Sequence, residues 1–483
     1  MKSAHNPRVL VWMVAFALAW VVLVAYSVRS HDIRWLQITF LVYSVYGIGM
    51  QVLGVLARGR TRSVPVPVRL PFVSVLIPAR NEARVIADSV RSACAMRYHD
   101  REGQPRFEVI VLDDRSGDGT GDVVRRLAPA LPVPVRVVRL AADDAHGKAA
   151  VLNVGAHAAQ GDVLAVLDAD SRADPEFLLR AVACLLEPGV AAVQGRRLCQ
   201  HRAETLAARG QEHEFSVFQT VMQRARDRFG AHVLLNGNGL AVNRRALEAV
   251  GGWNPSALTE DIDLAIRFQV VGWKVRYCEE AVVWEESVPD WPGLVRQRTR
   301  WAEGVLRALV EHLGAIVSGR MTAFQKTDML FFLTGSMVVP AAIFASNVYG
   351  AVVLLRGVLE PLYLLPMGRS LPPELTAGAF GAFSAALLLS AASQGGWNPL
   401  RALRVVVTYL LFTAHQLVAT PWAVARYVRS IVTGQVEWLK TDHGMPAPAL
   451  DPVTPVVDGA GWGEKDARVH ERLAMSSLHR TMP

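Results

Sequence analysis

Uncharged apolar runs lie towards both ends of the chain, and a charged region separates them. Each run is long enough to cross the roughly 30 Å apolar core of a bilayer as a helix. The five runs without Asp, Glu, Lys or Arg are residues 9–28, 35–57, 329–355, 375–393 and 405–425. The pattern predicts transmembrane helices on both sides of a soluble domain.

The region between the runs alternates short apolar segments with helical patterns. The apolar segments are residues 73–77, 107–112, 135–140 and 163–167. This alternation predicts a mostly parallel sheet covered by helices on both faces. Ligands bind beyond the carboxyl ends of the strands in such sheets, so the residues that follow each strand are the candidates for a site.

The composition agrees with a membrane protein that carries a large soluble domain. The chain has 483 residues, of which 51% are hydrophobic, and this length allows two or three domains. We predict two transmembrane helices in residues 1–62 and the α/β domain in residues 63–310. Residues 311–430 would form an interfacial helix and three to four transmembrane helices, and residues 431–483 a C-terminal segment that is mostly a disordered tail.

Arginines after the second run indicate the side on which the domain lies. Arg58, Arg60 and Arg62 follow that run directly, so the positive-inside rule predicts a multi-pass protein of the plasma (inner) membrane with a cytoplasmic domain. The first run is too long for a typical signal peptide and is followed at once by the second, so we interpret it as a retained anchor. The net charge of +8 suits anionic headgroups and indicates no nucleic-acid partner.

Charged and polar residues follow the first two predicted strands. Pro78, Asn81 and Glu82 come after the first, and Asp113 and Asp114 end the second. Asn81 could cap the next helix, with Glu82 favourable in its first turn. The second loop supplies its own turn and cap in Ser-Gly-Asp-Gly-Thr. The Asp113–Asp114 pair is therefore left without a structural task and is a candidate for ligand binding.

Two carboxylates and a lysine lie around the fourth strand. Asp168 and Asp170 follow it, and alternate residues of an extended chain share one face, so both could project into one site. Such hard oxygen ligands suit Mg²⁺ or Mn²⁺ bound to a diphosphate. Lys148 precedes a helical stretch and could meet phosphate oxygens as a point charge, or could be a solvated surface lysine.

Two later segments have both structural and chemical interpretations. Thr259 could cap a helix whose first turn holds Glu260 and Asp261, or Asp261 could act as a general base. Further along, Gln297, Arg300 and Trp301 share one helical face at positions i, i+3 and i+4. That face could offer a hydrogen bond, a cation and an indole to a sugar diphosphate, or could anchor an interfacial helix.

These segments together resemble the membrane-embedded family 2 glycosyltransferases, the group of cellulose, hyaluronan, chitin and poly-N-acetylglucosamine synthases. The resemblance covers about residues 73–301, roughly half of the chain, and the flanking runs extend it. Seven segments carry it in the order of the family: Val-Ser-Val-Leu-Ile-Pro-Ala-Arg-Asn-Glu (73–82), Leu-Asp-Asp-Arg-Ser (112–116), Gly-Lys-Ala-Ala-Val-Leu-Asn (147–153), Asp-Ala-Asp (168–170), Asn-Gly-Asn-Gly (236–239), Thr-Glu-Asp (259–261) and Gln-Arg-Thr-Arg-Trp (297–301).

The resemblance implies an α/β GT-A-like (Rossmann-like) cytoplasmic domain, inserted between N-terminal and C-terminal transmembrane helices. Asp261 would be the catalytic base, and Gln297, Arg300 and Trp301 would cover the diphosphate and the acceptor terminus. Residues 438–441 look like a family segment that folds back over the nucleotide. The implied substrate-binding residues are Pro78, Glu82, Asp113, Asp114, Lys148, Asp168 and Glu260. The implied Mg²⁺ or Mn²⁺ ligands are Asp168 and Asp170.

The main functional hypothesis is an inverting glycosyltransferase that moves a sugar from a UDP-sugar to a growing β-linked polysaccharide and exports the product. The alternative is a non-processive enzyme that adds one sugar to a lipid acceptor, and a third hypothesis is a catalytically silent membrane scaffold. The Gln-x-x-Arg-Trp face favours the first. Expected partners are the UDP-sugar, a glycan or glycolipid acceptor and the bilayer, with room for an accessory export subunit. UDP-N-acetylglucosamine is the first expected donor, followed by UDP-glucose and a mannosyl donor.

Overall fold

The structure is a computed structural model that describes residues 34–59, 69–141, 147–200, 205–335, 338, 373–395 and 398–434. The first predicted membrane run (9–28), Arg60, Arg62 and the segment 438–441 lie outside the described residues. So do the predicted C-terminal tail beyond residue 434 and most of the run 329–355.

Eight strands of the described chain form one sheet in the order β3-β2-β1-β4-β7-β6-β8-β5. Four of the seven strand pairs are parallel, and three of these four join β3, β2, β1 and β4. The predicted mostly parallel sheet is therefore confirmed. The antiparallel pairs involve β7 and β5, which the sequence did not indicate. The strands are β1 (Val73–Ala79), β2 (Phe107–Asp113), β3 (Val135–Arg139), β4 (Val163–Val166), β5 (Arg172–Ala173), β6 (Val190–Cys199), β7 (Leu240–Asn243) and β8 (Lys274–Glu285).

Helices cover the sheet and extend beyond it at both ends. The helices of the α/β region are α2 (Ile86–Cys94), α3 (Thr120–Leu127), α4 (Lys148–Ala158), α5 (Phe177–Leu185), α6 (Leu206–His213), α7 (Thr220–Phe229), α8 (Arg244–Ala249), α9 (Glu260–Val270) and α10 (Trp291–Ser318). The others are α1 (Arg34–Leu56), α11 (residues 323–335), α12 (Pro373–Gly395), α13 (Pro399–Phe412) and α14 (Gln416–Thr433). A π-helical segment, Glu214–Gln219, joins α6 to α7. The predicted domain boundary at residue 310 falls inside α10.

Two apolar layers hold the sheet between its helices. Val75 and Ile77 of β1 lie in a cluster with residues of α2 and α5. Leu76 lies in a second cluster with residues of α4 and α9, because successive side chains of a strand point to opposite faces. All three side chains are fully buried. Truncating Leu76 to Ala would therefore cost about 2–5 kcal/mol of unfolding free energy.

Two stretches of the described chain are long and apolar enough to cross a membrane, namely Gln37–Leu56 in α1 and Pro399–Thr433 across α13 and α14. The apolar part of α12, Gly381–Gln394, is shorter. This observation is weak support for membrane insertion, so the predicted number of spans stays a prediction.

The helix α1 is joined to the α/β domain through α7 and α11. A side chain at Gly54 would collide with the carbonyl oxygen of Val221, so the glycine allows α1 to approach α7 closely. Asp328 of α11 is completely buried and accepts from Arg226 at 3.1 Å and from Tyr46 of α1. Removing one partner of such a buried pair costs about 3–5 kcal/mol, so this contact fixes α1 against the domain.

Candidate active site

Two loops at the carboxyl ends of β1 and β2 are bonded to one another. The backbone N–H of Asn81 donates to Ser116 Oγ at 3.0 Å, and the side-chain oxygen of Asn81 accepts from Gly117 N–H at 2.9 Å. Asn81 therefore does not cap α2, which was its structural interpretation. Asn81 and Arg115 both have a φ of 56°, a left-handed conformation that is uncommon outside glycine. The hydrogen bonds to Ser116 and Gly117 hold Asn81 in this conformation.

The two carboxylates that end β2 have different surroundings. Asp114 is bonded to Arg115 at 2.9 Å and lies 3.9 Å from Arg80, and it lines a cavity. Asp113 is completely buried and accepts from Ser116 N–H at 2.9 Å and from Arg139 at 3.2 Å. Asp113 thus has a structural task that the sequence did not indicate. Its predicted contact with the nucleotide is not supported by its position.

Lys148, at the first position of α4, lies among carboxylates. Its Nζ donates to Asp168 Oδ1 at 2.5 Å and to the carbonyl of Gly237 at 3.0 Å, and it lies 3.7 Å from Glu260. Burial disfavours the ammonium, but the charges of Asp168 and Glu260 outweigh it and raise the pKa of Lys148. The lysine is therefore a fixed cation and not a solvated surface residue.

The Asp168–Asp170 segment is held in a turn. β4 ends at Val166, and Ser171 N–H donates to the Asp168 carbonyl at 3.0 Å, so the expected extended conformation is wrong. The completely buried Asn238 accepts from Asp168 N–H at 3.1 Å and donates to Glu285 at 2.8 Å. Both carboxylates still line the cavity.

Asp261 lies in the first turn of α9, beside this group. A Cβ at Gly237 would come within 3.1 Å of Asp261 Oδ2 and 3.4 Å of Lys148 Nζ, so both side chains converge on the glycine. Burial, reinforced by the negative charge of Glu260 and opposed by Lys148, raises the pKa of Asp261 to about 7. Thr259 is at the N-cap position, but its side chain makes no capping hydrogen bond. A carboxyl group with this pKa is suited to take up a proton near neutral pH.

Helix α10 brings the face formed by Gln297, Arg300 and Trp301 next to Asp261. A side chain at Gly304 would come within 2.6 Å of Thr259 Oγ1, so the glycine lets α10 approach the start of α9. Burial lowers the pKa of Arg300, while the nearby charges of Glu260 and Asp261 oppose that shift. The buried Oε1 of Gln297 accepts no hydrogen bond from any described group. It is therefore available to a substrate hydroxyl.

Two arginines that the sequence did not single out position Trp301. The Arg298 guanidinium lies 4.1 Å from the centre of the Trp301 ring and donates to Glu214 of the π-helical segment at 2.5 Å. Arg197 of β6 lies 5.9 Å from the same ring and donates to the carbonyl of Asn236 at 2.9 Å. The only sequence signal for Arg298 was its place inside the Gln-Arg-Thr-Arg-Trp motif.

A cavity of about 690 Å³ connects these groups, within the usual range of roughly 300–1,000 Å³ for small-molecule sites. It begins at the ends of β1 and β2, passes Lys148 and Asp261, and continues beyond Trp301 to α7, α11 and α14. The predicted site residues on its wall are Pro78, Glu82, Asp114, Lys148, Asp168, Asp170, Glu260, Asp261, Gln297, Arg300 and Trp301. The structure brings them together, and their individual roles stay predictions.

The chain matches the family described as Glycosyltransferase like family 2 over residues 71–304. A probable glycosyltransferase, YdaM of Bacillus subtilis, is 32% identical over 288 residues, which are 58% of this chain and 67% of the relative. This chain belongs to the family 2 glycosyltransferases. As a member of that family it is a nucleotide-sugar-dependent glycosyltransferase, and the hypothesis of a silent scaffold is not supported.

Two similar family 2 glycosyltransferases bear the name beta-monoglucosyldiacylglycerol synthase. The one from Trichormus variabilis is 33% identical over 317 residues, which are 65% of this chain and 66% of the relative. The one from Synechocystis is 29% identical over 419 residues, 85% of this chain and 84% of the relative. The chain thus spans about two thirds of the length of the first relative. These names refer to a lipid product, so they agree with the alternative of a lipid acceptor better than with the extension of a polysaccharide.

A solved structure supports the GT-A-like fold of this glycosyltransferase. The mannosyltransferase PcManGT of Pyrobaculum calidifontis, in complex with GDP-Man and Mn²⁺, superposes with a TM-score of 0.57. The match covers 81% of this chain and 99% of that chain at 22% identity. At this identity the likeness establishes the fold alone, and the donor and the metal of this enzyme are not inferred from it.

Proposed function

We propose that this glycosyltransferase adds a single glucose from UDP-glucose to the free hydroxyl of a diacylglycerol at a membrane surface. The observation that carries the proposal is the cavity that joins the carboxylates at the strand ends to the apolar side chains of Met222 on α7, Phe332 on α11 and Ala419 on α14. Polar side chains of α7 and α14, namely Gln223, Arg226, Gln416 and Thr420, line the cavity beside them. The names of the two synthases supply the sugar and the lipid class. This replaces UDP-N-acetylglucosamine as the first expected donor.

The proposed reaction is one direct displacement. Asp261 takes the proton of the lipid hydroxyl as its oxygen attacks the anomeric carbon, and the bond between that carbon and the UDP oxygen breaks. Lys148 and Arg300 balance the charge that grows on the departing diphosphate. Because attack occurs opposite the leaving group, an α-linked donor gives a β-glucoside.

The remaining side chains have positioning roles in this proposal. Asp114, Glu82 and Pro78 lie at the end of the cavity where β1 and β2 finish, which suits the nucleoside. Gln297 Oε1 accepts from a sugar hydroxyl, and the Trp301 indole gives the sugar a flat apolar surface. Asp113 acts indirectly, since its bonds hold the loop that carries Asp114.

Asp168 and Asp170 fit a divalent cation by donor chemistry. Both are carboxylates on the cavity wall, and hard cations such as Mg²⁺ and Mn²⁺ prefer oxygen ligands. Lys148 already donates a hydrogen bond to one carboxylate oxygen of Asp168, so in this proposal Asp170 is the main ligand of the cation. When bound, such a cation would neutralise charge on the diphosphate of the donor.

We further propose that the enzyme sits in the inner membrane with the catalytic domain in the cytoplasm. The stretches Gln37–Leu56 and Pro399–Thr433 are the candidate spans within the described residues. Residues 63–310 would form the catalytic domain, as the sequence predicts, with α10 continuing beyond its boundary. Cysteine-accessibility labelling of Arg58→Cys, just after α1, and Val432→Cys, near the end of α14, would test this orientation in intact cells. We expect a membrane-impermeant reagent to leave Arg58→Cys unlabelled, and labelling of that position from outside would contradict the cytoplasmic domain.

The test is an assay with purified protein, UDP-[radiolabelled glucose] and dioleoylglycerol in detergent micelles. We expect one labelled glycolipid that migrates with monoglucosyldiacylglycerol on thin-layer chromatography and shows a β-anomeric proton by NMR. Labelled material that elutes as a polymer on size exclusion would instead support polysaccharide extension. Absence of any lipid product from active enzyme would refute the proposed acceptor.

A further inference from the structure

Beyond Trp301 the cavity continues into a part whose walls come from four different helices. We name this part the apolar arm and define it by Phe218 of the π-helical segment, Met222 of α7, Val305 of α10, Phe332 of α11 and Ala419 of α14. The same helices also place Gln223, Arg226, Gln416 and Thr420 on the cavity wall, so the apolar arm has polar side chains at its edge. The arm is thus a second part of the cavity, formed by other elements than the strand-end carboxylates.

One wall of the apolar arm begins next to the catalytic carboxylate. Ile262 follows Asp261 directly and packs in one cluster with Val305 and Phe332. All three side chains line the cavity. Apolar side chains thus lead from the residue next to the base to α11.

The opposite wall leads towards the candidate membrane spans. The rings of Phe218 and Tyr409 lie 3.6 Å apart between their centroids, which joins the π-helical segment to α13. Met222 packs in a cluster with Met50 and Leu53 of α1. Because Ala419 belongs to α14 and Met222 packs against α1, the apolar arm borders both stretches that are long enough to cross a membrane.

The cations beside the apolar arm are paired within the protein. Arg298 is bonded to Glu214 at 2.5 Å, and Arg226 lies 3.1 Å from Asp328. A lipid phosphate would have to compete with these carboxylates for its counter-ion. An uncharged headgroup does not need to displace these carboxylates from the arginines, so the charge distribution favours a neutral lipid.

We infer that the apolar arm holds the acyl chains of an uncharged glycerolipid, which enters from the side of α1 and α14 and presents its hydroxyl to Asp261. This inference rests on the proposed function and adds the route and the binding surface of the acceptor. The arm then determines acceptor specificity, while the strand-end residues bind the nucleotide sugar.

A pair of matched substitutions on α14 tests the inference. Ala419 is buried on the wall of the arm, whereas Ala425 is exposed on another face of the same helix. Ala419→Leu should raise the KM for dioleoylglycerol about tenfold, because added methylenes occupy the space of an acyl chain. Ala425→Leu should leave it unchanged, and calorimetric titration with UDP should give the wild-type affinity in both variants.

A crosslinking experiment needs no variant. Wild-type enzyme is irradiated with a diacylglycerol that carries a diazirine in one acyl chain, and the labelled peptides are identified by mass spectrometry. We expect fragment spectra of these peptides to locate the adducts at or next to Met222, Phe332 or Ala419, and we expect the adducts to be lost when dioleoylglycerol competes. Adducts confined to the exposed face around Trp422 would overturn the inference.

These outcomes distinguish a failure of the inferred acceptor route from a failure of the proposed function. If wild-type enzyme glucosylates dioleoylglycerol but Ala419→Leu behaves like Ala425→Leu, the route through the arm is wrong and the proposed function stands. If wild-type enzyme transfers glucose to no diacylglycerol, the proposed function fails and the inference fails with it.

Discussion

Nζ of Lys148 lies 2.5 Å from Oδ1 of Asp168, so the first turn of α4 is joined to the turn that follows β4. Glu260 lies 3.7 Å from the same Nζ on the other side. One cation therefore links the segment proposed to hold the donor to the start of the helix that carries Asp261.

Lys148→Met should weaken UDP-glucose binding, because a hydrogen bond to a charged group contributes about 1.5–3 kcal/mol. We expect the Kd measured by calorimetric titration to rise about tenfold or more. Lys274→Met is the matched control, since Lys274 is exposed on β8 and its side chain bonds only to the carbonyl of Pro188 among the described contacts. Equal Kd values for the two variants would refute the role of Lys148.

Asp261→Asn should reduce kcat by about 10²–10⁴-fold, the usual contribution of a general base, while UDP binding persists. The measurement is glucosylation of dioleoylglycerol under saturating donor. Asp162→Asn is the control, because it makes the same substitution at an exposed position before β4. Turnover at the wild-type rate in Asp261→Asn would rule out the base assignment.

The raised pKa of Asp261, about 7, predicts the pH profile of the enzyme. A base must be unprotonated, so kcat/KM should fall by about tenfold per pH unit as the pH decreases below this value. Glu260→Gln removes a neighbouring negative charge that raises this pKa, and should therefore move the acidic limb to lower pH. A limb at the same pH in both enzymes would contradict the assignment.

Gly304→Ala should destabilise the contact between α9 and α10, since its Cβ would lie too close to Thr259. Overpacking of this kind costs about 1–3 kcal/mol of unfolding free energy, and Thr259→Ala should restore most of it. Denaturant unfolding measures the change. Gly314→Ala on the same helix has open space around the new methyl group, so it should be neutral or stabilising.

Chelation should abolish glucosyl transfer if Asp168 and Asp170 hold a divalent cation. We expect activity to disappear with excess EDTA and to return with Mn²⁺ or Mg²⁺. Asp170→Asn should raise the Mn²⁺ concentration needed for half-maximal activity more than Asp168→Asn does, because Lys148 already engages Asp168. Full activity in EDTA would exclude the metal.

The strand ends were predictable because parallel strands place their carboxyl ends at one edge. The four apolar segments indicated β1 to β4, and residues after β1, β2 and β4 line the cavity. The helical spacing of Gln297, Arg300 and Trp301 likewise placed them on one helix.

Other features depend on contacts between residues that are distant in the sequence. The bond between Arg298 and Glu214 joins residues 84 positions apart, and no local pattern signals it. The burial of Asp113 depends on Arg139 from the neighbouring strand. The conformation of Asp168–Asp170 depends on Asn238, whose side chain overrides the extended geometry expected after a strand.

The π-helical segment has a consequence for how acceptor choice can change within the family. A π turn contains one residue more than the regular α-helix that would otherwise join α6 to α7. Deleting a single residue there would restore regular α-helical winding and leave α6 and α7 in their present orientation. Only the side chains of the segment itself, which include Glu214, would shift relative to Arg298 and the cavity. Insertion or loss of one codon is thus a direct genetic route to a differently shaped acceptor site on an unchanged scaffold.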